Sequence, residues 1–311
     1  MGTLARPEDS LPMNFVSCDW GTSSFRLRVV GGTATTEVRT DEGAAKLAAL
    51  GGDRATAFRE TLDRGLLQLG APDDWPVIIS GMASSTIGWR ELPYARLPFA
   101  LEGRDAVWER IDDRVCLISG FRGDTDMLRG EETQAIGLAA TLGSELPERV
   151  TLVFPGTHSK HLEVNGGVIT EVRTFMTGEL FDLLVHHSVL RHSTEFEAAF
   201  DSVAFAQGVA ETRRQPLIAA LFRVRTRQVL DRQPAAANTA FLSGLLIGAE
   251  LLTLAESGLP VIVAAGSAVR NACAAAGEVL GFGSRLRIVD ADPLSALGQE
   301  VLLHRILKAP R

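Results

Sequence analysis

Asp19 ends an apolar run, Phe15-Val16-Ser17-Cys18, and Trp20-Gly21-Thr22-Ser23-Ser24 follows it. An acid at a strand end can hold a hydrated Mg2+. A Gly/Thr/Ser turn offers backbone N–H groups and hydroxyls to phosphate oxygens. Beyond the turn, Phe25, Leu27 and Val29 alternate with Arg26 and Arg28, the two-residue period of a half-buried strand. The chain thus leaves the turn as a strand, whereas the P-loop and the dinucleotide fingerprint both open a helix. The pattern recurs. Thr151–Phe154 is β-rich, Pro155-Gly156-Thr157-His158-Ser159-Lys160 is polar, and Leu162 and Val164 alternate toward Asn165-Gly166, a hairpin signal. Asp19 is therefore the candidate metal residue. Gly21, Thr22, Ser23, Gly156 and Thr157 are candidate phosphate donors, and Lys160 adds a positive charge beside the second turn. Two such units, one in each half, predict duplicated halves around a shared cleft.

A third element follows. Pro260–Ala264 reads as a buried strand that enters a helix near Arg270 through Ala265-Gly266-Ser267-Ala268. Small residues let backbone approach a flat ligand, and a helix N-terminus favours anions, so Gly266 and Ser267 are the candidate nucleotide turn. In this order the segments resemble the ATPase superfamily that includes actin, hexokinase and the heat-shock chaperones. More narrowly, they resemble the 2-dehydro-3-deoxygalactonokinase family of bacterial sugar-acid kinases. The resemblance is carried by Asp19-Trp20-Gly21-Thr22, Gly81-Met82 to Tyr94 with Gly88-Trp89, and Met127 to Gln134. It continues through Pro155 to Lys160, Met176-Thr177-Gly178-Glu179-Leu180 and Phe241 to Glu250. It implies an α/β, two-lobed ribonuclease H-like fold of the actin/hexokinase type, with the active site in the interlobe cleft. It also implies ATP- and Mg2+-dependent phosphorylation of the C6 hydroxyl of 2-dehydro-3-deoxy-D-galactonate, a step of galactonate and galactose catabolism. Two positions depart from the family pattern: Ser24 stands where an Asn is expected, and His161 where a Trp is expected.

The catalytic base is open at this level. In related sugar kinases of the glycerol-kinase type an Asp occupies the second turn, but here that position is Ser159, whose pKa does not suit a base. Gly130-Glu131-Glu132 resembles the Gly–Glu–Glu segment of the exopolyphosphatase branch, so Glu131 or Glu132 is one candidate. Both acids also suit a helix N-terminus. Glu179 is a second candidate and a candidate substrate contact. The loop Gly81–Glu91 follows a strand and is rich in hydroxyls, a normal ligand position in α/β folds. Ser84, Trp89 and Arg90 are its candidate substrate residues, with Arg173 as an alternative partner for the substrate carboxylate.

The elements that must position these groups can be sketched. The chain has 311 residues, 46% of them hydrophobic, enough for two cores. Residues 1–12 read as a mobile tail, 13–148 as an N-terminal lobe and 149–311 as a C-terminal lobe. Glu145-Leu146-Pro147-Glu148 marks the boundary, and the helical spacing of Leu294–Leu307 leaves a return to the first lobe open. A helix is predicted over Ala55–Gln68, a strand over Val77–Ser80 and a helix entry at Pro234. The net charge of -7 opposes nucleic-acid partners and the basic channel of an exopolyphosphatase-type phosphohydrolase, the main alternative enzyme. A non-enzymatic sugar sensor would need a DNA-binding module that the short tail does not hold. Cys18, Cys116 and Cys273 form no CxxC pair, which predicts a cytoplasmic protein. No signal peptide is evident, and Phe241–Leu254, with Glu250, is too short for a membrane span. The expected partner is a small sugar acid, with monomer or homodimer both open. His186, His187 and His192 do not form a metal set, because adjacent helical side chains diverge. Gly244 and Gly248 predict close helix packing.

Overall fold

The computed structural model describes residues 13–31, 37–196 and 199–308, and the tail expected over 1–12 lies outside them. The first apolar run forms β1 (Phe15–Trp20), and β2 (Phe25–Val30) returns antiparallel to it, pairing Asp19 with Arg26 and Trp20 with Phe25. After β3 (Glu37–Thr40) come α1 (Ala44–Ala49) and α2 (Arg54–Leu69). Asp53 caps α2 by accepting from Ala55 N and Thr56 N, and Gly70 ends it at φ 68, the left-handed stop that favours glycine. β4 (Val77–Gly81) runs parallel to β1 and places Ser80 beside Asp19 and Gly81 beside Trp20. The short β5 (Ala95–Arg96), β6 (Phe99–Ala100) and β7 (Trp108–Arg110) precede β8 (Val115–Ile118), which is parallel to β4. β9 (Phe121–Arg122) and β10 (Met127–Leu128) then lead into α3 (Glu131–Leu142).

The second half begins with β11 (Arg149–Phe154), β12 (Ser159–Asn165) and β13 (Val168–Phe175). Gly166 and Gly167 connect the last two at φ 58 and 75, the paired positive φ of a tight hairpin turn. Then follow α4 (Thr177–His187), α5 (Ser202–Glu211), α6 (Leu217–Leu221), α7 (Arg223–Val229) and α8 (Ala235–Ser257). β14 (Val261–Ala265), α9 (Ser267–Leu280), β15 (Leu286–Asp290) and α10 (Leu294–Lys308) complete the described chain. The strand orders β3-β2-β1-β4-β8 and β13-β12-β11-β14-β15 are the same arrangement used twice: third, second, first, fourth, fifth. In each, the strand before the polar turn is central and has a parallel neighbour.

The chain breaks after residue 148, and two later segments return to the first unit. One unit comprises residues 1–148, 164–172 and 291–311, and the other 149–163 and 173–290. The tip of the β12–β13 hairpin joins the first unit because Val168 and Ile169 pair with Ala100 and Phe99. α10 joins it because small residues let it lie directly on α3: a Cβ at Gly298 would sit 1.8 Å from the Thr133 carbonyl, and one at Gly137 would sit 2.1 Å from that of Leu294. Gln299, fully buried, also donates to Cys18 O and Ser80 Oγ at 2.9 and 2.8 Å. The second unit uses the same device between α5 and α8, where a Cβ at Gly208 or Gly244 would fall 2.1 Å from a backbone oxygen of the other helix.

The helix predicted around Phe241–Leu254 is longer than expected. At 23 residues, α8 has the length and apolar composition of a membrane span. Its packing decides otherwise. Phe241, Leu245 and Leu251 are buried with Phe205 and Val209 of α5, and Glu250 Oε1 lies in a buried hydrogen bond 3.0 Å from His161 Nε2. In the first unit the core is aromatic: Trp20 lies 4.4 Å from Phe25 and 4.7 Å from Phe58, ring centre to ring centre.

Candidate active site

Parallel strands end on the same edge of their sheet, and each unit gathers its polar loops there. In the first unit these loops follow β1, β4 and β8. The β1 turn has Thr22 and Ser23 exposed. Its carbonyls are already used: Gly21 O accepts from Ala44 N and Thr22 O from Ala45 N, both at 3.0 Å. The start of α1 is therefore seated on the turn. Gly43 makes this approach feasible, since a Cβ there would lie 2.3 Å from Thr22 O. Trp20 Nε1 donates to Glu42 O at 3.0 Å and holds the same junction from the core side. With its carbonyls turned into the protein, the turn presents the N–H groups of Thr22 and Ser23, which have no partner among the described residues.

The second unit repeats the arrangement. Glu179 N, at the start of α4, donates to Thr157 O at 3.1 Å. A Cβ at Gly178 would stand 2.6 Å from Gly156 O. The exposed Thr157 N–H is without a partner among the described residues, and Ser159 Oγ braces the turn by accepting from Gly156 N at 3.3 Å. β14 runs parallel beside β11, with Val263 opposite Val153, so Gly266 and Ser267 leave the sheet next to this turn. Both are exposed, and no side chain caps α9. The turn after β11 and the Gly266-Ser267 turn after β14 thus share one edge.

Asp19 lies at the end of β1, and its Oδ2 is ion-paired with Arg26 at 3.1 Å. Arg26 also reaches Asp292 at 2.8 Å, and Asp19, Arg26, Arg28 and Asp292 line a small cavity. The Oδ1 of Asp19 has no hydrogen-bond partner among the described residues. No cluster of three or more His, Cys, Asp or Glu is present among the described residues. Mg2+ on a nucleotide needs only one or two carboxylates, since phosphates and waters complete its shell. Asp19 fits that demand.

Other candidates are placed differently. Glu132 is fully buried, and its Oε2 accepts from Gly130 N at 2.5 Å. Burial, followed by the neighbouring Glu131 charge, pushes its carboxyl up to about 8. It closes the entry to α3 and is not open to a substrate. Glu131 is half-buried one residue beyond Gly130. A Cβ on Gly130 would lie 3.6 Å from Gly81 Cα, so this segment adjoins the end of β4 next to Asp19's strand. Ser84 is buried, donating to Ile118 O at 2.7 Å and accepting from Arg129 at 2.6 Å. Trp89 packs edge-on to Trp20 with the Arg59 guanidinium over it. Arg90 is exposed and bonded to Glu109. Arg173 pairs with Glu163 at 3.0 Å. Lys160 is buried, and its ammonium donates to the His158 carbonyl of its own turn. Glu179 is bonded to the His158 ring. Of the two expected departures, His161 is buried between Glu250 and Phe175, and Ser24 closes the first turn by accepting from Gly21 N at 2.8 Å. Sequence reasoning missed Gly43, Arg26, Arg129 and Gln299. Arg129 carried a signal, since it immediately precedes Gly130-Glu131.

Glu132 makes stability depend on pH. A carboxyl whose folded pKa lies at about 8, above its unfolded value, binds more protons folded than unfolded. Its contribution is complete below the unfolded value and is lost as pH rises through about 8. Glu132→Gln is therefore expected to melt close to the parent protein at acidic pH and increasingly above it toward pH 8. Melting curves across this range check the expectation, and a constant difference would contradict it.

Comparison with known proteins agrees with this geometry. The family described as 2-keto-3-deoxy-galactonokinase matches residues 19–300. A Rhizobium meliloti (strain 1021) protein named Probable 2-dehydro-3-deoxygalactonokinase DgoK1 is 39% identical over 78% of this chain and 81% of its own length. The 2-dehydro-3-deoxygalactonokinase of Escherichia coli (strain K12) is 31% identical over 78% of this chain and 80% of its own. A crystal structure from Sinorhizobium meliloti, of a protein assigned as a 2-dehydro-3-deoxygalactonokinase, superposes with a TM-score of 0.82 at 35% identity. It covers 95% of this chain and 100% of that one. The α/β fold fits the actin/hexokinase-type ATPases. By its matched length and its relatives, this chain belongs to the 2-keto-3-deoxy-galactonokinase family, the ATP-dependent sugar-acid kinases.

Proposed function

We propose that the chain transfers the γ-phosphoryl group of ATP to the C6 hydroxyl of 2-dehydro-3-deoxy-D-galactonate, as a cytoplasmic enzyme of galactonate breakdown. The observation that carries this reading is the duplicated seat. In each unit a helix start takes up carbonyl groups of a polar turn, Gly21 and Thr22 in one and Thr157 in the other, and the N–H groups of Thr22, Ser23 and Thr157 have no partner among the described residues. Phosphoryl transfer depends mainly on such positioning and on charge stabilisation. The Thr22 and Ser23 N–H groups are donors of the first turn and the Thr157 N–H of the second, where Gly156 keeps the backbone open to approach and its own N–H is held by Ser159. Gly266 and Ser267, at the uncapped start of α9, suit the nucleotide. Lys160 acts on the second turn from beneath, through the His158 carbonyl. Asp19 would hold Mg2+ through Oδ1, and the metal would offset charge on the phosphate oxygens.

Glu131 is the proposed base for the acceptor hydroxyl. It is less buried than Glu132 and follows Gly130, which adjoins the end of β4 beside the strand that carries Asp19. Glu179 is the alternative, with its carboxylate bonded to His158.

The purified protein is expected to release ADP with Mg2+, ATP and 2-dehydro-3-deoxy-D-galactonate, and not with polyphosphate. Folded protein inactive toward this acid would end the proposal. Asp19→Asn keeps the shape and removes the charge, so turnover should fall on the order of 10^2-fold. Near-normal turnover at saturating Mg2+ and ATP would place Asp19 outside the site. Glu131→Gln should lower kcat by about 10^2–10^4-fold with nucleotide affinity kept, as read by steady-state kinetics and nucleotide titration. If kcat survives, Glu179 becomes the base to test.

A further inference from the structure

Arg129 differs from the other arginines at the candidate site. Arg26, Arg28, Arg90 and Arg173 each meet a carboxylate. Arg129 meets none within ion-pair distance among the described residues. It is held instead by two neutral acceptors, Ser84 Oγ at 2.6 Å and Ser119 Oγ at 3.1 Å. Both serines are buried, and Ser84 is fixed in turn by the Ile118 carbonyl at 2.7 Å. The guanidinium lies 4.2 Å from the ring centre of Tyr94, the single tyrosine of the chain. Its Nε is buried without a partner. Glu132, which feels the Arg129 charge, has its own carboxyl pushed up to about 8 by burial. A half-buried cation, fixed in direction with no carboxylate at ion-pair distance among the described residues, is unfavourable in the empty protein. The same arrangement is well prepared for a planar anion, because a guanidinium can present paired N–H donors to a carboxylate.

Its position suits the far end of the acceptor. Ser84 and Ser119 lie just beyond β4 and β8, on the edge where β1 delivers Asp19. β8 stands two strand spacings from β1, on the order of 10 Å, the scale of an extended six-carbon acid. Gly130 and Glu131 follow Arg129 directly, and Gly130 adjoins the end of the intervening β4.

We propose that Arg129, laid against Tyr94 and aimed by Ser84 and Ser119, binds the C1 carboxylate of the sugar acid. It thereby sets the register that brings the opposite hydroxyl toward Asp19 and Glu131. This rests on the sugar-acid kinase reading above and assigns the carboxylate contact that Arg90 and Arg173, already paired, do not supply.

The test compares two acceptors: 2-dehydro-3-deoxy-D-galactonate, and the analogue in which CH2OH replaces the carboxylate. The parent enzyme should prefer the acid in kcat/KM by on the order of 10^2-fold. Arg129→Gln should raise KM for the acid by a similar factor, leave KM for ATP within about twofold, and remove most of the preference, with Arg129→Lys between. A fold-wide defect would lower both acceptors alike and keep the preference, and that result would overturn the proposal. So would a rise in KM for ATP alone, which would assign Arg129 to the nucleotide phosphates, or unchanged kinetics. A parent enzyme inactive with the acid would defeat the kinase reading itself, and this inference with it. An active parent whose preference survives in Arg129→Gln would defeat only the role of Arg129.

Discussion

The seating of a helix start on a turn is the interaction on which both ends of the chemistry depend. A polar turn between two strands has carbonyls as well as N–H groups, and a phosphate would be repelled by the carbonyls. Here the first N–H groups of α1 and α4 take up those carbonyls. These helix donors lack intrahelical partners in any case, so one contact satisfies both sides. The geometry requires backbone to touch backbone, which is why Gly43 and Gly178 stand where a Cβ would lie 2.3 and 2.6 Å from a turn oxygen. What remains outward is donor-rich and rigid.

Beneath the first turn a polar support joins the aromatic core. Gln299 donates to Cys18 O and Ser80 Oγ, and Thr133 Oγ1 reaches Ser80 Oγ at 3.4 Å. The chain links β1, β4, α3 and α10 just below Asp19. Buried polar groups are costly unless paired, and pairing gives them direction. The last helix of the protein thus helps to hold the first strand. The glycine contacts of α10 with α3, which allow this depth of burial, are matched by those of α8 with α5 in the other unit.

Charge is distributed with similar economy. Arg26 ties Asp19 to Asp292 and leaves one carboxylate oxygen open. Glu132 closes the start of α3, and burial drives it toward the neutral form. Glu131, its neighbour in sequence, is less enclosed. Adjacent helical positions face different surroundings, so two consecutive acids reach different ionisation and, in our reading, different roles.

The sequence alone determined the elements that rest on local pattern. Alternation announced β2, Asn165-Gly166 lies at the hairpin whose turn is Gly166-Gly167, and the ordered motifs indicated the kinase family. Contacts between distant segments were not legible, because no local period encodes which helix lies on which strand. Hence the return of α10 to the first unit was left open by its sequence, and the length of α8 was underestimated. Hence also Ser84, Glu132 and Lys160 looked available, although each is buried in hydrogen bonds to groups chosen by the fold. Residue type showed which side chains were able to do chemistry. Tertiary structure decided which of them kept an open polar atom, because burial and partner choice are properties of packed neighbours rather than of the chain.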